Sequence, residues 1–214
     1  MDYYFSNKKY KVIFIGDSNV GKSSILKKYI TGDINSPNIT IGTEFAKKYI
    51  SKYNLNLQIW DCAGQERYRA LCKIYFRDTD ICILVFDLSN MNSLESIKDY
   101  WISTYLKNAN KQHKFILVGN KSDLDINIDY NIIWNLVKTY NVKYIETSVT
   151  NNINIDNLFN LVCEFILETN KNNNFDIYNF DIQNSNLGNE NTLQVSNTLD
   201  LNSAPRYNYW SSYC

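Results

Sequence analysis

Short apolar, β-branched runs recur along the chain at YKVIFI, LNLQIW, ICILVFDL, KFILVGN and VKYIET, and each is of strand length. Most are too uniformly apolar for a sheet that buries one face only, so they predict a sheet covered on both sides. Between them stand the helix-length segments SSILKKYI, QERYRALCKIYF, SLESIKDYWISTYLKN, YNIIWNLVKTY and IDNLFNLVCEFILE. Strands alternating with helices imply right-handed crossovers and a mostly parallel sheet with helices on both faces. A further run, EFAKKYISKY, is separated from LNLQIW by only a short turn and reads as an antiparallel edge strand. The fold class is therefore α/β, with about six strands and five helices.

The length of 214 residues and a hydrophobic fraction of 44% accommodate one domain with an appendage. From Thr169 the chain turns Asn-rich with few aliphatics, which places a domain over 1–168 and a flexible tail over 169–214. Lys+Arg and Asp+Glu both total 22, so the charge balance offers no footprint for nucleic acid. The five cysteines form no C-x-x-C pair, a pattern expected of reduced thiols in a cytosolic compartment. No apolar run approaches the roughly 18 residues of a membrane span, and Asp2 stands where myristoylation requires glycine. The expectation is a protein made in soluble form. The single histidine, His113 in KQHK, reads as a solvated loop residue.

The stretch GDSNVGKSS, Gly16, Asp17, Ser18, Asn19, Val20, Gly21, Lys22, Ser23 and Ser24, follows the first apolar run and leads into a helical segment. It fits the pattern G-x-x-x-x-G-K-S/T through Gly16, Gly21, Lys22 and Ser23. Glycines let backbone N–H groups converge on an anion, the following helix adds the positive end of its dipole, and Lys22 supplies a point charge. The Ser23 hydroxyl stands where a Mg²⁺ bridging two phosphates would sit. Taken alone, the stretch also fits an ordinary strand-to-helix turn.

In WDCAGQE, Asp61 falls at the C-terminal end of a strand, where ligands of α/β sheets collect. Its carboxylate can hold the same Mg²⁺ through water, and Gly64 can offer an N–H to a terminal phosphate; a helix cap is the other reading of an aspartate there. The tetrad NKSD, Asn120 to Asp123, follows the strand KFILVG. An aspartate accepts from the N1–H and the exocyclic amine of guanine, whereas adenine presents a lone pair and no 2-amino group. Such tetrads also occur in turns; here the tetrad is in register with the other two motifs.

With GDSNVGKSS, TIGTEF, WDCAGQE, NKSD and ETSVT in this order, the chain from Lys8 to Glu168 resembles a Ras-superfamily small GTPase and is most similar to the Rab family. The resemblance implies the P-loop NTPase fold and a GTPase that binds GTP or GDP with Mg²⁺. It implies that Thr40 is a switch hydroxyl on Mg²⁺ beside Ser23 and Asp61, that Gln65 orients the attacking water, and that Asn120 ties the base loop to the phosphate loop. Lys121 would lay its stem over the guanine plane, and the Ser148–Val149 backbone would reach guanine O6. Similarity to the Rab family in particular rests on IGTEF, ERYR and the aromatics of KIYFRD. It implies an effector surface at Phe45, Trp60 and Tyr75, although an aromatic cluster of this kind is also common in cores.

The same resemblance implies an exchange factor, a GTPase-activating protein, effectors and an escort protein of the GDI type. It also implies cycling between the cytoplasm and the cytosolic face of intracellular membranes in vesicle trafficking. Cys214 is the residue on which a prenyl group is expected, an unmodified surface thiol being the other reading. The tail carries only Lys171 and Arg206 against Asp176, Asp181, Glu190 and Asp200, so one lipid chain without a basic patch predicts weak, extractable attachment.

Departures from the family pattern are the segment between Lys22 and Thr40, one residue short and without the usual aromatic, where Ile34 is the expected substitute over guanine. The others are Cys62 for Thr, Asp78 for Gly, and Val149–Thr150 for Ala–Lys. Alternative functions are a P-loop ATPase or nucleotide kinase, opposed by Asp123, a nucleotide-binding platform with little turnover, opposed by Gln65 but favoured by the short segment before Thr40, and a structural protein, for which Gly16, Gly21 and Lys22 would serve nothing.

Overall fold

A computed structural model describes residues 8–33, 43–111 and 114–185, with side chains described to residue 170. Ile34, Thr40, His113 and Cys214 lie outside the described residues. The chain divides into two units, Met1–Asn172 and Asn173–Cys214, and the architecture below is that of the first.

The strands are β1 (Lys9–Ile15), β2 (Thr43–Ile50), β3 (Leu55–Cys62), β4 (Ile81–Asp87), β5 (Phe115–Asn120) and β6 (Lys143–Thr147). They form one sheet of order β2-β3-β1-β4-β5-β6, parallel throughout except for β2, which pairs antiparallel with β3. The α/β class, the strand content and the antiparallel edge agree with the sequence reading.

The end of β1 and almost all of β4 and β5 are apolar because successive side chains there feed opposite cores. Val12 and Phe14 of β1, Ile83 and Val85 of β4 and Ile116 and Val118 of β5 enter one cluster. They pack there with Ile25 and Leu26 of α1 (Lys22–Thr31) and with Leu158, Phe159 and Val162 of α6 (Ile155–Ser185). Ile13 and Ile15, Leu84 and Phe86, and Leu117 enter the other cluster. The partners on that face are Cys72 of α2 (Arg69–Cys72), Leu94 of α3 (Met91–Ser96), Tyr105 of α4 (Ser103–Asn108), and Ile133 and Leu136 of α5 (Tyr130–Tyr140).

Three local features differ from the sequence reading. The segment QERYRALCKIYF is not one helix: α2 is flanked by 3-10 turns at Glu66–Tyr68 and Lys73–Phe76. Only Cys72 and Phe76 anchor it, while Leu71 and Ile74 are exposed, so it has too little buried face to sustain a long helix. Between α3 and α4 the backbone widens into a π-helical stretch, Ile97–Ile102, which keeps Ile97, Trp101 and Ile102 buried. Helix α6, expected to end at Glu168, runs to Ser185, and no glycine or proline stands before Gly188 to stop it.

Candidate functional site

The loops that leave β1, β3 and β5, together with the one after β6, gather at the C-terminal edge of the sheet, where open α/β sheets bind ligands. They line a cleft of about 530 Å³. Its walls bring together Ser18, Asn19, Gly21, Lys22, Ser23 and Ser24 from the first loop and Gly64 and Gln65 from the second. Asn120, Lys121 and Asp123 come from the third, and Val149 and Thr150 from the last.

The first loop is built for close approach. Gly21 has φ 97°, and a Cβ there would meet Asn120 Nδ2 at 2.2 Å. A Cβ on Gly64 would meet backbone atoms of Asp17 and Ser18 at 2.2–2.4 Å, so only glycine lets the second loop rest on the first. No side chain caps α1 and its first turn has no acidic residue, so the helix presents its N-terminal dipole to the cleft without an internal anion. Lys22 is buried, and its Nζ donates to the carbonyls of Gly16 at 3.0 Å and Asp17 at 2.7 Å. Burial lowers the ammonium's pKa, opposed by Asp61. A buried cation at a helix N-terminus, among backbone donors, matches the chemistry of a polyphosphate.

Ser23 Oγ donates to Asp61 Oδ2, and Asp61 is fully buried at the end of β3. A hydroxyl and a carboxylate beside the helix N-terminus are hard oxygen donors of the kind Mg²⁺ takes, with phosphate oxygens and water completing its shell. The donor set therefore fits that ion. Asp17 Oδ1 accepts from Arg69 Nη2 at 2.7 Å and from Trp101 Nε1 at 2.9 Å. The Arg69 guanidinium also lies over the Tyr100 ring at 4.4 Å. Through these contacts the π-helical stretch and α2 are both tied to the first loop. Gln65 Oε1 accepts from Arg67 Nε at 2.9 Å.

Asn120, 2% exposed, donates from Nδ2 to the Val20 carbonyl at 2.8 Å and accepts from Thr147 Oγ1 at 2.9 Å. One carboxamide thus joins the first loop, the NKSD loop and the end of β6. Lys121, at φ 63°, sends its Nζ to Asp87 Oδ2 at 2.7 Å. Burial pushes the Asp87 carboxyl up, but Lys121 and the hydroxyl and N–H of Ser89 outweigh it and hold the carboxyl below its ordinary value. Asp123 accepts from the Ser148 hydroxyl. The Ser148 backbone N–H donates to the Ile153 carbonyl at 3.1 Å, while Val149 faces the cleft.

Away from the cleft, Phe45 and Trp60 face each other across β2 and β3 with ring centroids 4.6 Å apart, and Trp60 lies 4.8 Å from Tyr75. Phe45 is 44% exposed, so the three rings form a continuous patch that reaches the surface.

The sequence reading passed over Asp87, Leu124, Arg69 and Trp101. Asp87 ends β4 and Asp61 stands one residue from the end of β3, so the strand-end argument applied to Asp61 reaches Asp87 as well. Leu124 lines the cleft directly after the NKSD tetrad. Arg69 and Trp101 carried no local signal, because their partner Asp17 is 52 and 84 residues away.

The profile of the Ras family matches residues 11–168. The chain is 37% identical over 163 residues to Ras-related protein RABG1 of Arabidopsis thaliana, covering 71% of this chain and 79% of that protein. It is 33% identical over 188 residues to Ras-related protein Rab-11B of Dictyostelium discoideum, covering 83% and 84%. It is 36% identical over 161 residues to Ras-related protein Rab7 of Glycine max, covering 70% and 78%. With its family profile matched over residues 11–168 and these relatives, the protein belongs to the Ras family as a Rab-like small GTPase.

Proposed function

We propose that the cleft binds GTP and GDP with Mg²⁺, and that the two bound states switch the protein's partners in intracellular membrane trafficking. The observation that carries this reading is the Asn120 carboxamide, which holds the loop of Asp123 and the loop of Lys22 to one cleft. Specificity and phosphate binding then belong to the same ligand.

Each residue has a task that follows from its surroundings. Lys22, held at the loop mouth by two carbonyls, sets a positive charge against phosphate oxygens, with the N-terminal amides of α1 beside it. Ser23 and Asp61, with Thr40, would hold Mg²⁺, which would neutralise developing charge on the phosphates. The Asp123 carboxylate selects guanine by accepting from its two edge donors. The Val149 backbone is the donor for the base carbonyl, since Ser148 spends its own N–H on Ile153. Gln65 orients the attacking water, for which its carboxamide exchanges Arg67 for the water. Gly64 rests on the first loop and follows the terminal phosphate when that leaves. Effectors read the patch of Phe45, Trp60 and Tyr75, an amphipathic aromatic surface of the kind enriched at interfaces.

A specific observation favours one further reading. The engagement of Gln65 by Arg67 suits a nucleotide-dependent platform with little turnover of its own. Chromatography of nucleotide released by heat from the purified protein tests the main reading. Guanine nucleotide is expected, whereas adenine nucleotide or none after purification in Mg²⁺ would overturn it.

A further inference from the structure

Cys62 closes β3, two residues before Gly64, and Cys72 closes α2. Both are fully buried in the same core cluster, and each thiol is the foremost electrostatic neighbour of the other. Cys72 Sγ also donates to the carbonyl of Ala63, the neighbour of Cys62, at 3.3 Å, and lies 3.6 Å from the Tyr68 carbonyl. Thr43 Oγ1 donates to Cys62 Sγ at 3.9 Å from the edge strand. The surroundings of the other described cysteines differ: Cys82 sits in apolar packing, and Cys163 lies near Glu164 and Lys52. Among the described cysteines one thiol pair therefore exists, and the chain between its members carries Gly64 and Gln65.

We propose that Cys62 and Cys72 form a reversible disulfide when the protein meets a hydroperoxide, and that this bond locks the segment 63–71 against the sheet. Cys72 is the thiol that reacts first. It sits on a four-residue helix whose Leu71 is exposed, so local opening of this segment uncovers it, whereas Cys62 stays hydrogen-bonded within the sheet. The Cys72 sulfur attacks one peroxide oxygen and the O–O bond breaks. Water or an alcohol leaves, and a sulfenic acid remains. The Cys62 sulfur then attacks the sulfenic sulfur, the S–O bond breaks and a second water leaves with the thiol proton. Two thiols lose two electrons and two protons in total, and the hydroperoxide takes up both pairs.

The bond itself rests on packing alone, and its effect on nucleotide rests on the function proposed above. The full chain, reduced and then treated with a small excess of hydrogen peroxide, is analysed by intact mass, maleimide labelling and non-reducing peptide mapping. A loss of about 2 Da, a linked peptide pair holding Cys62 and Cys72, and full reversal by dithiothreitol are expected. Neither Cys62→Thr nor Cys72→Ser should show the mass loss, and each retains a small polar side chain in the core. Oxygen addition without the linked peptides, or equal mass loss in the single variants, overturns the pairing. Release of fluorescent GDP from the oxidised full chain should slow at least about threefold and recover on reduction. Equal release by both forms overturns the locking. Failure of the reduced protein to bind GDP at all would instead count against the nucleotide reading and leave the mapping result intact.

Discussion

Asn120 Nδ2 donates to the carbonyl of Val20 at 2.8 Å, across 100 residues of chain, while its Oδ1 accepts from Thr147. Both partners are buried with it. In Asn120→Ala the Val20 carbonyl and the Thr147 hydroxyl lose their partner where water does not reach, a cost of about 1–3 kcal/mol for each group left unsatisfied. The variant is expected to unfold about 2 kcal/mol more easily in guanidinium and to release GDP faster, because the two halves of the cleft part. Wild-type stability with fast release would assign Asn120 to the nucleotide alone.

Asp123→Asn keeps an oxygen for the Ser148 hydroxyl but turns a donor toward the two donors of guanine. Losing one charge-assisted bond and gaining a clash of donors should weaken GDP binding by about 10²-fold and improve binding of the xanthine analogue. Competition of both diphosphates against a fluorescent nucleotide measures this. An unchanged preference would remove Asp123 from the base site.

Gln65→Leu leaves the contacts of Lys22 and Ser23 in place, so GTP binding should persist while single-turnover hydrolysis falls at least about tenfold. Arg67→Ala frees the Gln65 carboxamide from its 2.9 Å bond and should leave hydrolysis equal to or faster than that of the wild type. Slower hydrolysis in Arg67→Ala would mean that Arg67 holds Gln65 in its working orientation.

The Asp87–Lys121 pair has a defined pH signature. The carboxyl titrates below its ordinary value when folded, so its stabilisation is present above the unfolded pKa of about 4 and is lost as pH falls through the lower folded value. Asp87→Asn should cost about 1–2 kcal/mol at pH 7, since Asp87 is nearly buried and also receives Ser89. The gap between variant and wild type should close as pH drops below 4. Urea unfolding at a series of pH values reads this directly, and a gap that stays constant into acid would contradict the pair's role.

By itself, the sequence determined what depends on neighbouring residues. Runs such as VIFI carry apolar groups at every position, and alternate side chains must leave a strand on opposite faces, so Val12 with Phe14 and Ile13 with Ile15 require two cores. The short turn before LNLQIW forces an antiparallel neighbour, and GDSNVGKSS needs only its glycines and the next helix to shape a loop. Helix lengths were less legible in QERYRALCKIYF, because a helix of this kind is stabilised by the face it buries and only Cys72 and Phe76 are fully buried. The tertiary structure alone decided which side chains close on each other across distant loops. Asp17 meets Arg69 and Trp101 because a widened helix and a short one converge on the first loop, Lys121 finds Asp87 because β4 and β5 are adjacent, and Cys72 reaches the Ala63 carbonyl beside Cys62 because the second loop folds back on its strand. Such pairings have no period or spacing in the chain. They are set by strand order and packing, which bring together groups whose separation along the sequence carries no trace of their contact.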